Sequence, residues 1–271
     1  MKTVSQFISE ALITFGKSAY PKFGNIVILA GGAGSGKGFQ KNNLLGIEGS
    51  NIDVDAIKEL ATRAPKFIER VKSETGRDLS TFDMKKGEDV SRLHYILNDV
   101  YKIPDKRNDA LFSSILTAHP DRKPNLIFDV TLKDISKLIS VASAVNDLGY
   151  SKQNIHIVWV VNDINVAMKQ NKSRSRSVPE EILFATHQGA ALTMKRILDM
   201  DDNLKQYMDG AIYISFNKIH SDVTTHRSAA GGSFIKTANY IQVKKQGHPQ
   251  LSSAELSAAI TAKIKAYVPL W

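Results

Sequence analysis

Apolar positions along the chain fall into two periods. Five short runs rich in β-branched and aromatic residues, bounded by Gly, Pro or Asn, lie at 25–30, 49–55, 124–131, 154–161 and 210–217. Runs of that length and composition predict buried strands. Between them, apolar residues recur at helical spacing over 36–45, 55–76 with a break at Pro65, 87–102, 108–119, 132–149, from about Asp163, and 178–200. Strands that alternate with helices specify a mainly parallel sheet, here of five strands, with helices on both faces. Upstream, Val4, Phe7, Ile8, Ala11, Leu12 and Phe15 have the spacing of an amphipathic helix. Downstream, 226–249 holds a glycine turn between segments that can pair as a hairpin. Then 252–268 reads as a helix with a serine cap and an acidic first turn.

This pattern divides the chain into an N-terminal helix (1–24), an α/β domain (25–217) and a C-terminal hairpin and helix extension (218–271). Within the α/β domain, a helical insertion occupies about 56–120 and a lid-like basic loop about 171–179.

Composition narrows the classes. With 42% hydrophobic and 23% charged residues among 271, the chain is an ordinary globular protein and too apolar for disorder. The absence of cysteine excludes disulfides, thiolate zinc sites and a cysteine nucleophile. The longest apolar run, Ile26–Ala30, is far too short to span a bilayer. Ser9 and Glu10 interrupt what would be the apolar core of a secretory signal. A cytoplasmic protein is the expectation. The formal charge of +9 has two open readings: attraction to polyanions such as nucleotides or nucleic acid, or solubility alone. The histidines show no metal-ligand spacing.

The chemistry concentrates after the first strand. "GGAGSGK" matches G-x-x-x-x-G-K, with Gly31, Gly36 and Lys37 in place, and it follows an apolar strand and opens a helix. Glycines let successive N–H groups turn inward as an anion nest, and the next helix presents its positive end. Gly32, Ala33, Gly34, Ser35, Gly36, Lys37, Gly38 and Phe39 are therefore the expected binders of a triphosphate tail, with Lys37 on its terminal phosphates. Gly38 departs from the pattern, because a hydroxyl there commonly coordinates magnesium. Ser35 offers another oxygen, but at the wrong spacing.

Three further clusters stand at expected strand ends. Asp53 and Asp55 follow the second strand, where open α/β sheets bind ligands. Either can cap the next helix while the other accepts a proton from an acceptor hydroxyl, and Asp55 is favoured for that chemistry. Asp129 and Thr131 end the third strand. There a carboxylate can hold magnesium through water or bind substrate, or the pair can simply form a capped strand end. Lys172, Arg174 and Arg176 form the basic loop, suited to clamping a γ-phosphate or to contacting nucleic acid.

In order, "GGAGSGK", "IDVD", "FDVT" and "RSVPEE" resemble the motifs of zeta-toxin-like P-loop kinases. The resemblance spans roughly 25–214 and implies a nucleoside-kinase-like P-loop NTPase fold that uses ATP or GTP with Mg2+. It implies Lys37 on the β/γ-phosphates, Asp55 as base, Arg176 and Arg174 as lid arginines, and Asp53, Asp129 and Thr131 towards substrate. Asp55 and Asp129 would serve the metal, partly through water. The implied activity is transfer of the γ-phosphate to a hydroxyl of a nucleotide, nucleotide-sugar or modified nucleic-acid base. A nucleic-acid-binding or virion-packaged protein without transfer is the alternative. Asp129 stands where the family usually has Glu. The opening residues also resemble the starts of tailed-phage proteins, with "ISE" before Ala11 similar to a prohead-protease site. Nothing in the sequence names the acceptor, the oligomeric state or an antitoxin-like partner.

Overall fold

The structure, a computed structural model, describes residues 12–16, 20–52, 61–173, 177–217, 223–227, 233–238, 240–249 and 264–265. Its centre is a sheet of six strands in the order β2-β3-β1-β4-β5-β8. These are β1 (Ile26–Ala30), β2 (Ser50–Ile52), β3 (Leu126–Asp129), β4 (Ile155–Asn162), β5 (Ile212–Asn217) and β8 (Tyr240–Lys244). The first five in that order are parallel, and β8 is antiparallel to β5. Five strands were expected. The sixth is the end of the predicted tail hairpin, which pairs with the open edge of β5. A hairpin does form upstream of it, from β6 (Val223–Arg227) and β7 (Ser233–Ala238).

Alternation along the strands sorts side chains to two faces. Ile26, Ile28, Phe128, Ile157, Trp159, Ile214 and Phe216 share one core with α5 (Ile135–Asp147) and α7 (Glu180–Leu198). Val27, Leu29, Ile127, Val158, Val160 and Tyr213 face the other way. Right-handed crossovers place α1 (Lys37–Asn43) on this second side, because β1 leads to β2 in one direction while β3 leads to β4 in the other.

The second side corrects one expectation. Residues 12–16 are extended rather than helical: Ile13 bridges to Leu45, and Ile13 and Phe15 are both fully buried. Leu12 and Phe15, three apart, have helical spacing, while Ile13 and Phe15, two apart, share one face of a strand, and the sheet supplies the deciding partners. The Tyr213 and Tyr240 hydroxyls donate to the Thr14 and Leu12 carbonyls at 2.7 and 3.1 Å. The rest of the predicted N-terminal helix, with the phage-like "ISE", lies outside the described residues. So does nearly all of the predicted C-terminal helix.

The insertion builds its own small core. Its helices are α2 (Pro65–Thr75), opened by Pro65, α3 (Gly87–Tyr95), which continues through a π turn, and α4 (Ile103–Leu116). Val71, Leu79, Leu93, Ile96, Leu97 and Tyr101 pack together, separate from the sheet cores. The last helix before the basic loop is α6 (Ile164–Ser173), whose first turn is capped by Asp163.

Beneath Phe15 sits His156, fully buried, its ring centroid 4.9 Å from that of Phe15. Its Nδ1 accepts from the Ala211 N–H at 2.9 Å, so Nε2 carries the proton that faces Asn25 Oδ1 at 3.2 Å. Burial, with Lys244 nearby, pushes its pKa from 6.5 down to about 3. Between those values the unfolded chain binds a proton that the folded chain excludes. Stability from this group is therefore present above pH 6.5 and lost as pH falls, at roughly 1.4 kcal/mol per unit. In urea unfolding between pH 7 and 4, His156→Gln should flatten that slope. An unchanged slope would remove His156 as its source.

Candidate functional site

The carboxyl edge of the parallel strands is where β1 gives way to the glycine loop. Gly34 and Gly36 have φ of +71° and +93°, in the left-handed region open to glycine. Gly36 then caps α1. At Gly36 a side chain would also run into the Asn217 amide.

Every carbonyl from Gly31 to Ser35 has a donor. Lys37 Nζ donates to the Gly31 and Gly32 carbonyls at 2.8 and 3.3 Å. His187 Nε2 lies 2.7 Å from the Ala33 carbonyl, which requires Nε2 to carry the proton. Asn162 Nδ2 donates to the Gly34 carbonyl at 3.2 Å and Asn217 Nδ2 to the Ser35 carbonyl at 2.9 Å. Of the N–H groups in this stretch, Gly31 donates to the Thr131 carbonyl, Ala33 to Thr186 Oγ1 and Ser35 to the Gly32 carbonyl, while those of Gly32, Gly34 and Gly36 have no acceptor among the described residues and are the ones open to an anion. The first N–H groups of α1 add to these, since they have no intrahelical acceptor.

Lys37 and Asp129 meet at this loop. Asp129 ends β3 in register with Leu29 of β1, and its Oδ1 is 3.9 Å from Lys37 Nζ, both side chains 15% exposed. Thr131 touches the loop through its backbone: its carbonyl accepts from the Gly31 N–H at 3.4 Å. Phe39, one turn on, is partly exposed on α1.

A Cβ at Gly38 would meet nothing among the described residues, so open space lies beside the first turn of α1. Ser35 does not fill the role of the missing hydroxyl. Its Oγ is buried, without a hydrogen-bond partner among the described residues, and packs where a Gly31 side chain would point. No group of three or more metal-ligating side chains occurs among the described residues. Among the described residues, the carboxylate beside Lys37 is that of Asp129.

Asp53, Asp55, Arg174 and Arg176 lie outside the described residues. The elements that lead to them do not. β2 stops at Ile52, opposite Phe128. The basic loop is closed at its base by Asn171, whose Nδ2 donates to the Val178 carbonyl at 2.7 Å while its Oδ1 accepts from the Val178 N–H at 2.9 Å. Lys172 pairs with Glu180 at 2.9 Å across the same base.

Thr186, His187, Asn162 and Asn217 are the site residues that sequence reasoning missed. Asn162 and Asn217 end two predicted strands, a positional signal like the one that picked out Asp129. Thr186 and His187 carried no signal, being polar positions in a long helix. Burial holds His187 below the usual imidazole range, against the upward pull of the Ala33 carbonyl and with help from the Lys37 charge.

No protein-family model and no curated protein matches the chain. Among solved structures, it is similar to an AvrRxo1-ORF1:AvrRxo1-ORF2 complex with sulphate ions, at TM-score 0.47 and 11% identity over 89% of this chain and 63% of that one. The complex with ATP gives 0.46 and 12%, over 90% and 64%. The PezAT chromosomal toxin–antitoxin system of Streptococcus pneumoniae gives 0.41 and 14%, over 80% of each chain. The chain thus spans less than two thirds of the two AvrRxo1 chains. At these scores the likenesses decide nothing about chemistry, which rests on the geometry of the loop.

That geometry separates two glycines. Gly36→Ala should destabilise by about 1–2 kcal/mol or more in urea unfolding, from the left-handed backbone alone. Gly38→Ser, in open space, should stay within roughly 0.5 kcal/mol of the parent. Equal effects would mean that the loop does not hold this shape.

Proposed function

We propose that the chain is an ATP- or GTP-dependent phosphotransferase that moves the γ-phosphate to a hydroxyl of a nucleotide, nucleotide-sugar or modified nucleic-acid base. The observation that carries this reading is the meeting of Lys37 and Asp129 beside a loop whose carbonyls are all turned onto donors. A loop so arranged offers N–H dipoles and one ammonium to a phosphate chain, and a carboxylate within reach of its counter-ion.

In this reading the triphosphate lies over residues 32–39, and Lys37 leaves the Gly31 and Gly32 carbonyls for the β/γ-phosphates. A magnesium ion, when bound, neutralises charge on the phosphate oxygens, and Asp129 would hold it, partly through water. The acceptor oxygen attacks the γ-phosphorus, the bond to the β–γ bridging oxygen breaks, and the nucleoside diphosphate departs. The acceptor proton passes to the Asp55 carboxylate. Arg176, with Arg174, would steady the charge on the transferring group from the lid. Asp53 and Thr131 would face the acceptor.

The test is transfer from radiolabelled ATP to a panel of hydroxyl acceptors. Asp55→Asn should lower kcat by about 10²–10⁴-fold, as expected for loss of a general base. Its affinity for ATP should change little. Lys37→Ala should lose affinity and turnover together. Salt-sensitive nucleic-acid binding by the wild type, with no transfer under any condition, would replace this reading by the binding-protein alternative that the +9 charge also suits.

A further inference from the structure

The backbone of Ala33, at the crown of the loop, is held on both sides of its Cα by one helix. Its N–H donates to Thr186 Oγ1 at 3.1 Å, and its carbonyl accepts from His187 Nε2 at 2.7 Å. Thr186 Oγ1 is itself fixed, since it donates to the Leu183 carbonyl at 2.8 Å. The His187 ring also fills the space that a side chain at Gly32 would need. Consecutive residues of α7 thus grip the backbone of one residue that lies more than 150 positions away in sequence.

The same helix starts just beyond the basic loop. Val178 is tied to Asn171 by two hydrogen bonds, and α7 begins at Glu180. Fewer than two helical turns separate Glu180 from Thr186. The helix that follows the basic loop is therefore pinned, within its first two turns, to the phosphate loop.

We infer that Thr186 and His187 are positioning residues that lock the crown of the phosphate loop and tie the helix behind the lid to it. The inference deepens the phosphotransferase reading and rests on it for its consequence in nucleotide binding. The grip itself is a property of the free protein. A neutral imidazole suffices for it, because the work is done by a single Nε2–H, and a glutamine amide reaches a similar place with the same polarity. A leucine of similar bulk lacks the donor and leaves the Ala33 carbonyl without its partner.

The experiment uses the full chain and two substitutions, His187→Leu and His187→Gln. Amide hydrogen exchange at 31–36 in the nucleotide-free protein should quicken about tenfold in His187→Leu, equivalent to one lost hydrogen bond, and return to within about twofold of wild type in His187→Gln. The dissociation constant for a non-hydrolysable ATP analogue, measured by calorimetry, should follow the same order. Binding of the analogue should slow exchange at 180–187 in wild type and in His187→Gln but not in His187→Leu. Unchanged loop exchange in His187→Leu, or a glutamine variant that behaves like the leucine one, overturns the inference whatever the protein does with ATP. A wild type that does not bind the analogue sinks the phosphotransferase reading instead, and the exchange at 31–36 still decides whether the grip exists.

Discussion

A loop that points several N–H groups at one place must send the matching carbonyls somewhere else. Each of those carbonyls is costly if it is buried without a donor. Here five successive carbonyls are met by four side chains: Lys37, His187, Asn162 and Asn217. Three of the four come from elements far along the chain, so the loop takes its shape only once β4, β5 and α7 are assembled around β1. The glycine motif permits the conformation. The distant amides and imidazole select it.

The sheet explains how two of those donors arrive together. Asn162 and Asn217 are register partners on adjacent parallel strands, both at the carboxyl end. They follow runs buried on both faces, from Ile155 and from Ile212. A slip of one residue between β4 and β5 would exchange the two faces of a strand and move the amide off the rung. The apolar alternation that builds the two cores therefore also fixes where the polar strand ends stand. Asp129 is placed by the same means, one strand over on the other side of β1.

The five parallel strands and the loop between β1 and α1 were legible because their signals are local: short β-branched runs, turn residues, and glycines at fixed spacing before a lysine. Asp129 was legible for the same reason, as a carboxylate closing a strand. Three features were not. The extended run at 12–16 looked helical because Leu12 and Phe15 continue the helical spacing from Val4, while the two-residue period of Ile13 and Phe15 is decided only by Leu45, Tyr213 and Tyr240. The edge strand β8 was read as half of a hairpin, because pairing with β5 is invisible without the sheet's open edge. His187 was set aside for lacking a partner histidine. Its actual partner is a backbone carbonyl, and no side-chain pattern in a sequence marks a backbone carbonyl.

The glycine after the lysine carries a last consequence. Crowding does not account for it, since a side chain at 38 would meet nothing among the described residues. The neighbouring hydroxyl of Ser35 does not replace it either, being buried where a Gly31 side chain would point. If the loop binds a magnesium nucleotide, position 38 contributes no side-chain oxygen to the ion. Asp129, held near Lys37, would then serve it together with Asp55, partly through water. Magnesium tolerates this, because it gives up its hydration shell reluctantly and is commonly bound by one or two carboxylates plus phosphate oxygens. The protein's grip on the ion would be slight and its grip on the phosphates correspondingly important. That puts the weight on the backbone N–H groups of Gly32, Gly34 and Gly36 and on the first turn of α1, held in shape by the five captured carbonyls.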